Sequence, residues 1–427
     1  PPSRSSRRAY ELKTKSPAGT GAAPFGTEYT VMANGTAAGA SSSGILTGSR
    51  GVKIDNNATV TFMSLTAGVT NTMGAAWFGD ATYGQGVTVI KSGDGILRIT
   101  GTATNANFGS TTANTWRVDQ GTLYMSGGDL TLGATNNKVV LNGGTLQASG
   151  TTLNSGRTIT LNAVAGNTIK PDDNNTLILA TANQLTGSGG FTKTGTGTLT
   201  IGAAQNYSGK TTIAAGALSL SNTGSISNTS EVNLGTQASQ GTLLLTNKAS
   251  GYTLGSSQTV SGYGAINIGA GKTVTIAGTL APGNSAGIIT NTGNLTLDST
   301  AAIVMELAGS GGVAGTDFDQ LQVSGTLTYG GALSITNFGG YNITTPTNYA
   351  LFTFAGYSGN FASVNVEGNA LTYSALTTNW SGTISGTTYT YQMDTGYLNV
   401  VPEPTTYAML GLAGVAALAY RIRRRNR

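Results

Sequence analysis

From Tyr29 onward the chain alternates apolar and polar positions with a period of two, in short bursts closed by Gly or Asn. Gly95-Ile96-Leu97-Arg98-Ile99-Thr100-Gly101, Gly121-Thr122-Leu123-Tyr124-Met125-Ser126-Gly127 and Gly197-Thr198-Leu199-Thr200-Ile201-Gly202 are versions of one phrase. Gly241-Thr242-Leu243-Leu244-Leu245 and Gly325-Thr326-Leu327-Thr328-Tyr329-Gly330 repeat it further on. Val87-Thr88-Val89, Val139-Val140-Leu141, Val274-Thr275-Ile276 and Leu295-Thr296-Leu297 carry the same alternation. This period marks a strand with one face buried.

Related phrases recur roughly every 19 to 25 residues, the length of one turn of a stacked repeat architecture. The pattern predicts an all-β fold, a parallel β-helix or solenoid. Inward Leu, Ile and Val would stack over the same positions of neighbouring turns, and outward Thr would face water. Gly and Asn suit the corners, where a positive φ costs them little. One turn cannot bury its own apolar face, so stability has to come from stacking. Antiparallel sandwiches and barrels use similar strands and stand as the alternative. Four regions are expected: a disordered basic segment at 1–28, the β-helix repeats at 29–312, a β-rich cap at 313–400 and a tail at 401–427. The cap is expected because Phe318, Tyr329, Phe338, Tyr341, Tyr349, Phe352, Phe354, Tyr357 and Phe361 cluster there, and because a terminal rung left open invites aggregation.

Composition strengthens the all-β reading. Gly supplies 64 of 427 residues, and only 9% are charged. Helix-forming Glu, Lys and Arg are therefore scarce. The hydrophobic fraction of 38% argues against disorder of the whole chain. There is no Cys, so neither disulfides nor thiolate-held metals contribute. There is no His either, which removes the commonest general base and metal ligand. The net charge of +5 comes from the ends. Arg4, Arg7, Arg8, Lys13 and Lys15 lie at the start, with Glu11 as counter-charge, and Arg421, Arg423, Arg424, Arg425 and Arg427 at the finish. Setting those ten cations and Glu11 aside leaves 12 basic against 16 acidic residues, of 22 and 17. The body carries no basic stripe of the kind that binds nucleic acid. The sequence opens at Pro1 and shows no signal peptide, so export would require a natural start upstream of it.

The tail carries the sharpest chemistry. Val401-Pro402-Glu403-Pro404 is followed by sixteen uncharged residues, Thr405 to Tyr420, and then by the arginine run. As a helix, the apolar stretch is about 24 Å long, somewhat short for a hydrocarbon core of about 30 Å. Snorkelling arginines and local thinning close the gap. Leu410, Leu412, Val415 and Leu418 would face lipid, with Tyr407 and Tyr420 as interfacial anchors. The arginines place the C-terminus in the cytoplasm and the body outside. The bland alternative is a buried Ala/Leu helix of a soluble domain.

The order Pro402-Glu403-Pro404, apolar helix, basic terminus resembles the PEP-CTERM protein-sorting signal over about 26 residues. That resemblance implies an exosortase as partner, anchorage in the inner membrane during sorting, and delivery to the cell surface or an extracellular matrix rich in polysaccharide. In the middle of the chain, Gly190-Phe191-Thr192-Lys193-Thr194-Gly195-Thr196-Gly197-Thr198-Leu199-Thr200-Ile201, Asn206-Tyr207-Ser208-Gly209-Lys210-Thr211-Thr212-Ile213 and Gly216-Ala217-Leu218 resemble the autotransporter-associated β-strand repeat. Lys91-Ser92-Gly93-Asp94-Gly95-Ile96-Leu97 is a weaker copy. This second resemblance implies a right-handed β-helix passenger. No outer-membrane barrel follows the repeats in this sequence, so the sorting tail is expected to replace self-transport.

β-Helices also carry polysaccharide lyases and hydrolases, which need paired carboxylates, with or without calcium. Two pairs qualify. Asp172-Asp173, between Pro171 and Asn174, reads as a turn whose two side chains diverge. Asp317 and Asp319, two apart, would share a face if they lay on a strand, with Phe318 pointing inward. Both pairs also fit solvated corners. Gly190 to Gly197 is Gly-rich but lacks the ending of a phosphate-binding loop. The sequence therefore predicts an exported structural or adhesive protein, not an enzyme, with no cofactor and no metal. A carbohydrate-active β-helix enzyme is the alternative.

Overall fold

The computed structural model describes residues 12–14, 28–33, 45–46, 52–53, 56–57, 59–64, 67–73, 77–78, 85–100, 108–153, 156–283, 286–343 and 346–403. Among these the architecture is all-β, and helix is confined to two 3-10 turns, Asp129–Leu132 and Phe338–Gly340.

The long sheets are parallel and rise in chain order. One has 15 strands, two have nine and one has five, and apart from an antiparallel end pair in two of them (Leu12–Thr14 with Glu28–Ala33, and Ser363–Val366 with Asn369–Ala370) each strand hydrogen-bonds in parallel to a strand of the next phrase. The antiparallel alternative does not describe these sheets. In the 15-stranded sheet, Leu97 pairs with Leu123, Leu123 with Leu146, and Leu146 with Ile169. In the nine-stranded sheet that begins at Thr151–Leu153, Leu177, Leu199, Leu218 and Leu243 form a second file. All these side chains except Leu97 are fully buried, and Leu97 nearly so. Strands such as Thr122–Met125, Thr145–Ala148 and Thr198–Ile201 bury every second residue. The alternation read from the sequence is thus the alternation of core and surface, and each buried Leu or Ile contributes about 1.5–3 kcal/mol.

Outward positions stack in the same register. On the five-stranded parallel sheet, Thr253, Thr275, Thr296, Thr328 and Ser358 form one file of hydroxyls. The Thr328 and Ser358 hydroxyls are 3.0 Å apart.

Glycine is required at one recurring corner. Gly121 has φ +64°, and a Cβ there would lie 2.3 Å from the Gly93 carbonyl oxygen. Gly216 has the same φ, and its Cβ would lie 2.5 Å from the Gly197 carbonyl oxygen. Successive turns approach too closely at this corner for any side chain.

The strand pairing runs across two of the expected region boundaries. Parallel pairing does not stop at residue 312, because Gln320–Val323, Thr326–Tyr329, Ala332–Asn337 and Ser363–Val366 all continue the parallel sheets. The antiparallel sheet that follows is built from Thr347–Ala350 and four strands between Thr372 and Pro402. The aromatic cluster straddles the change. Tyr329 and Phe361 have ring centroids 4.8 Å apart, and the buried Tyr391 hydroxyl donates to the Tyr329 hydroxyl at 3.0 Å. The aromatic shift in composition marks larger core side chains, and larger side chains do not change the backbone pairing. At the other end, Leu12–Thr14 pairs antiparallel with Glu28–Ala33 inside the segment expected to be disordered. Three residues carry too little alternation to be read as a strand.

Candidate functional site

The last strand, Tyr397–Pro402, lies between Thr347–Ala350 and Thr387–Gln392. Leu398 and Val400 are fully buried, whereas Val401 is half exposed. Pro402 pairs opposite Thr387. Proline has no N–H to give to a ladder, so it suits a strand end. The backbone N–H of Glu403 donates to the Gly386 carbonyl at 2.8 Å. Ser385 and Gly386, both at positive φ, form the tight turn of that hairpin. The first two residues of the Pro-Glu-Pro motif are therefore tethered to the terminal sheet, with the Glu403 side chain exposed. Pro404, Tyr407, Leu410, Leu412, Val415, Leu418, Tyr420 and the arginines at 421, 423, 424, 425 and 427 lie outside the described residues, and so does the expected membrane helix. Among the described residues no helix is long and apolar enough to cross a membrane.

The carboxylate pairs separate once folded. Asp172 accepts from the Tyr124 hydroxyl at 2.5 Å and from the Gln147 amide at 2.6 Å, residues of two earlier turns. Asp173 accepts from the backbone N–H and the hydroxyl of Thr196. These bonds hold Asp173 below the ordinary carboxylate range, first through the Thr196 hydroxyl. The divergence expected of this turn is present.

Asp317 and Asp319 do not sit on a strand together, because the strand starts at Gln320. Asp317 accepts from the Val313 N–H at 2.8 Å. Asp319 is buried, and its two oxygens accept from the backbone N–H groups of Gly287 at 2.7 Å and Glu306 at 2.9 Å. Burial pushes Asp319 up to about 8 against those hydrogen bonds, and the nearby Glu306 charge adds to the rise. The shared face fails because Phe318, Asp319 and Gln320 are all buried at a corner, where strand alternation no longer applies.

Reading the sequence missed two lysines that occupy core files. Lys91 stands between Phe62 and Val118, and Lys193 between Ile169 and Ile213. Both are essentially unexposed. The Lys193 Nζ donates to the carbonyls of Thr194 at 3.0 Å, Gly195 at 2.8 Å and Ala215 at 3.0 Å. The Lys91 Nζ does the same to Ser92, Gly93 and Gln120, at 2.9, 2.5 and 3.0 Å. Three donors on one ammonium meet three carbonyls of two turns. Burial lowers both lysines to about 8, opposed by the charges of Asp94 and Asp173 respectively. The common phrase Lys-x-Gly-x-Gly was the available signal.

Fold and tail together define an all-β protein of stacked parallel strands with a sorting-type terminus. Residues 400–425 match the PEP-CTERM protein-sorting motif, and residues 191–220 match the passenger-associated-transport-repeat. The second match contains the Lys193 clamp and the Gly216 corner. No curated protein matches the chain at a significant level. The sorting motif implies an exported protein that passes through a membrane-anchored step and is handled by an exosortase. The repeat implies a passenger-like surface protein.

Proposed function

We propose that this chain is a non-catalytic structural or adhesive protein of the cell surface or extracellular matrix, built as a right-handed β-solenoid. In this reading an exosortase acts on the Pro402-Glu403-Pro404 region while the apolar tail crosses the inner membrane. The observation that carries the proposal is the position of the sorting motif, at the outlet of the terminal sheet and followed by an uncharged stretch and five arginines. A solenoid is supported by the chain-ordered parallel sheets. A non-catalytic role is supported by the carboxylates, because both candidate pairs are engaged in hydrogen bonds that tie turns or loops together. The outward file of Thr and Ser hydroxyls offers hydrogen-bonding groups for contact with polysaccharide.

The test is the intact mass of the mature protein from cells and from medium. Loss of the residues after the Pro-Glu-Pro region supports sorting by an exosortase. A full-length tail in the membrane fraction overturns it and leaves a plain C-terminal anchor.

A further inference from the structure

Four polar side chains from three separate stretches of sequence converge on one groove. It has a volume of about 350 Å³ and is lined by Thr236, Gln237, Tyr263, Ala286 and Thr316 together with Gly235, Gly283 and Gly315. Its walls come from successive turns. Thr236 and Gln237 sit on a small excursion, where Gly235–Thr236 pairs antiparallel with Ser239–Gln240. Tyr263 follows the strand Thr259–Gly262, and its N–H donates to the Gly235 carbonyl at 3.0 Å. Thr316 belongs to the long connection before Gln320–Val323.

Three features give the groove a chemistry. First, no charged side chain among the described residues lines it. An anionic ligand would find no cation and a cationic one no carboxylate. Second, the hydroxyls of Thr236, Tyr263 and Thr316 and the Gln237 amide make no hydrogen bond within the protein among the described residues. Among the described residues nothing else engages these groups, and between them they both donate and accept. Third, Tyr263 adds aromatic surface, and Gly315 lies against the edge of its ring. A Cβ on Gly315 would lie 2.8 Å from Tyr263 Cε2. Only glycine lets the ring edge approach the backbone this closely. Hydroxyls, an amide and an aromatic side chain without charge suit a ligand that is neutral, rich in hydroxyls and apolar on its ring faces.

We infer that this groove is a binding site for a neutral saccharide, a short stretch of an uncharged polysaccharide chain. The site deepens the adhesive reading above and rests on it. It also gives that reading a location, which the outward threonine rows do not.

Full-length protein is titrated calorimetrically with neutral hexasaccharides, the cello-, malto- and xylo-oligomers, and with a galacturonate hexamer as the charged counterpart. The expected result is saturable binding of at least one neutral oligomer and none of the charged one. Tyr263→Ala should weaken that binding at least tenfold. The double variant Thr236→Ala/Gln237→Ala, whose side chains are exposed, should weaken it with an unchanged circular dichroism spectrum and melting temperature. Unchanged affinity in both variants overturns the groove while leaving the adhesive reading intact. Binding of the charged hexamer alone overturns the groove's chemistry. No binding of any oligomer overturns both the groove and the saccharide-adhesive reading, whereas sorting of the tail is judged separately by mass.

Discussion

The backbone N–H of Glu403 donates to the carbonyl of Gly386 at 2.8 Å, so the sorting motif begins inside the folded domain and not beyond it. Pro402 still occupies the ladder opposite Thr387. A truncation therefore has different consequences on the two sides of Glu403. Ending the chain after Glu403 should leave the thermal melt of the body unchanged. Ending it before Tyr397 removes a central strand with Leu398 and Val400, both fully buried, at about 1.5–3 kcal/mol for each side chain. It should expose aromatic surface that binds a hydrophobic dye. Equal melting temperatures for the two truncations would show that the terminal sheet does not depend on its last strand.

The lysine clamps predict a stability that depends on pH. The folded-state values of Lys91 and Lys193 are about 8, below the ordinary 10.5. A lowered lysine contributes stability that is present above the unfolded value and is lost as pH falls through the folded one. The urea midpoint of the native protein, compared with Lys91→Met/Lys193→Met, should rise relative to the variant between pH 8 and 10. At pH 7 the variant leaves six carbonyl contacts unfilled. It should lose about 1–3 kcal/mol at each site for that reason. A difference that stays flat across pH 8–10 would contradict the lowered values.

Asp319 pulls the other way. Its folded-state value of about 8 stands above the ordinary 3.8. Its contribution is full below 3.8 and is lost as pH rises through 8. Glu306, itself pushed up by burial, faces the same site and adds to the slope. Asp319→Asn should flatten the stability profile between pH 4 and 8, measured by denaturant melts. It should also lower stability at pH 4, because an amide can accept only one of the two N–H groups that the carboxyl accepts.

Arg157 should be among the most sensitive single positions. It is fully buried, pairs with Asp129 at 2.5 Å and also donates to the carbonyls of Asn137, Gly133 and Ala134. Arg157→Ala leaves Asp129 without its cation and should cost about 3–5 kcal/mol. A calorimetric melt measures it. A loss below 1 kcal/mol would mean that water replaces the guanidinium.

A cavity in a core file should be costly as well. Leu199 is fully buried between Leu177 and Leu218. Leu199→Ala should lower stability by about 2–5 kcal/mol, read from the urea midpoint. A loss confined to the turns next to Leu199 would appear as faster hydrogen exchange there alone, because stacked repeats contact only their neighbours.

Local pattern and tertiary placement divide the molecule between them. The strands at Ile96–Ile99, Thr122–Met125, Thr198–Ile201 and Thr326–Tyr329 were legible because a half-buried strand must alternate, and alternation is local. The tail motif and the glycine-rich repeat phrases were legible for the same reason, since each is a contiguous run, whereas the burial of Lys91 and Lys193 inside those phrases was not. Tertiary structure decided what lies across turns. It put Asp172 against Tyr124, separated Asp317 from Asp319, and drew Thr236, Tyr263 and Thr316 to one groove. It also carried the parallel sheets past residue 312, to Ser363–Val366. Those relationships depend on how many residues each corner takes up before the next strand enters the ladder. Corner length sets the stacking register, and no period in the sequence records it, because Gly, Asn, Ser and Thr fill corners of every length.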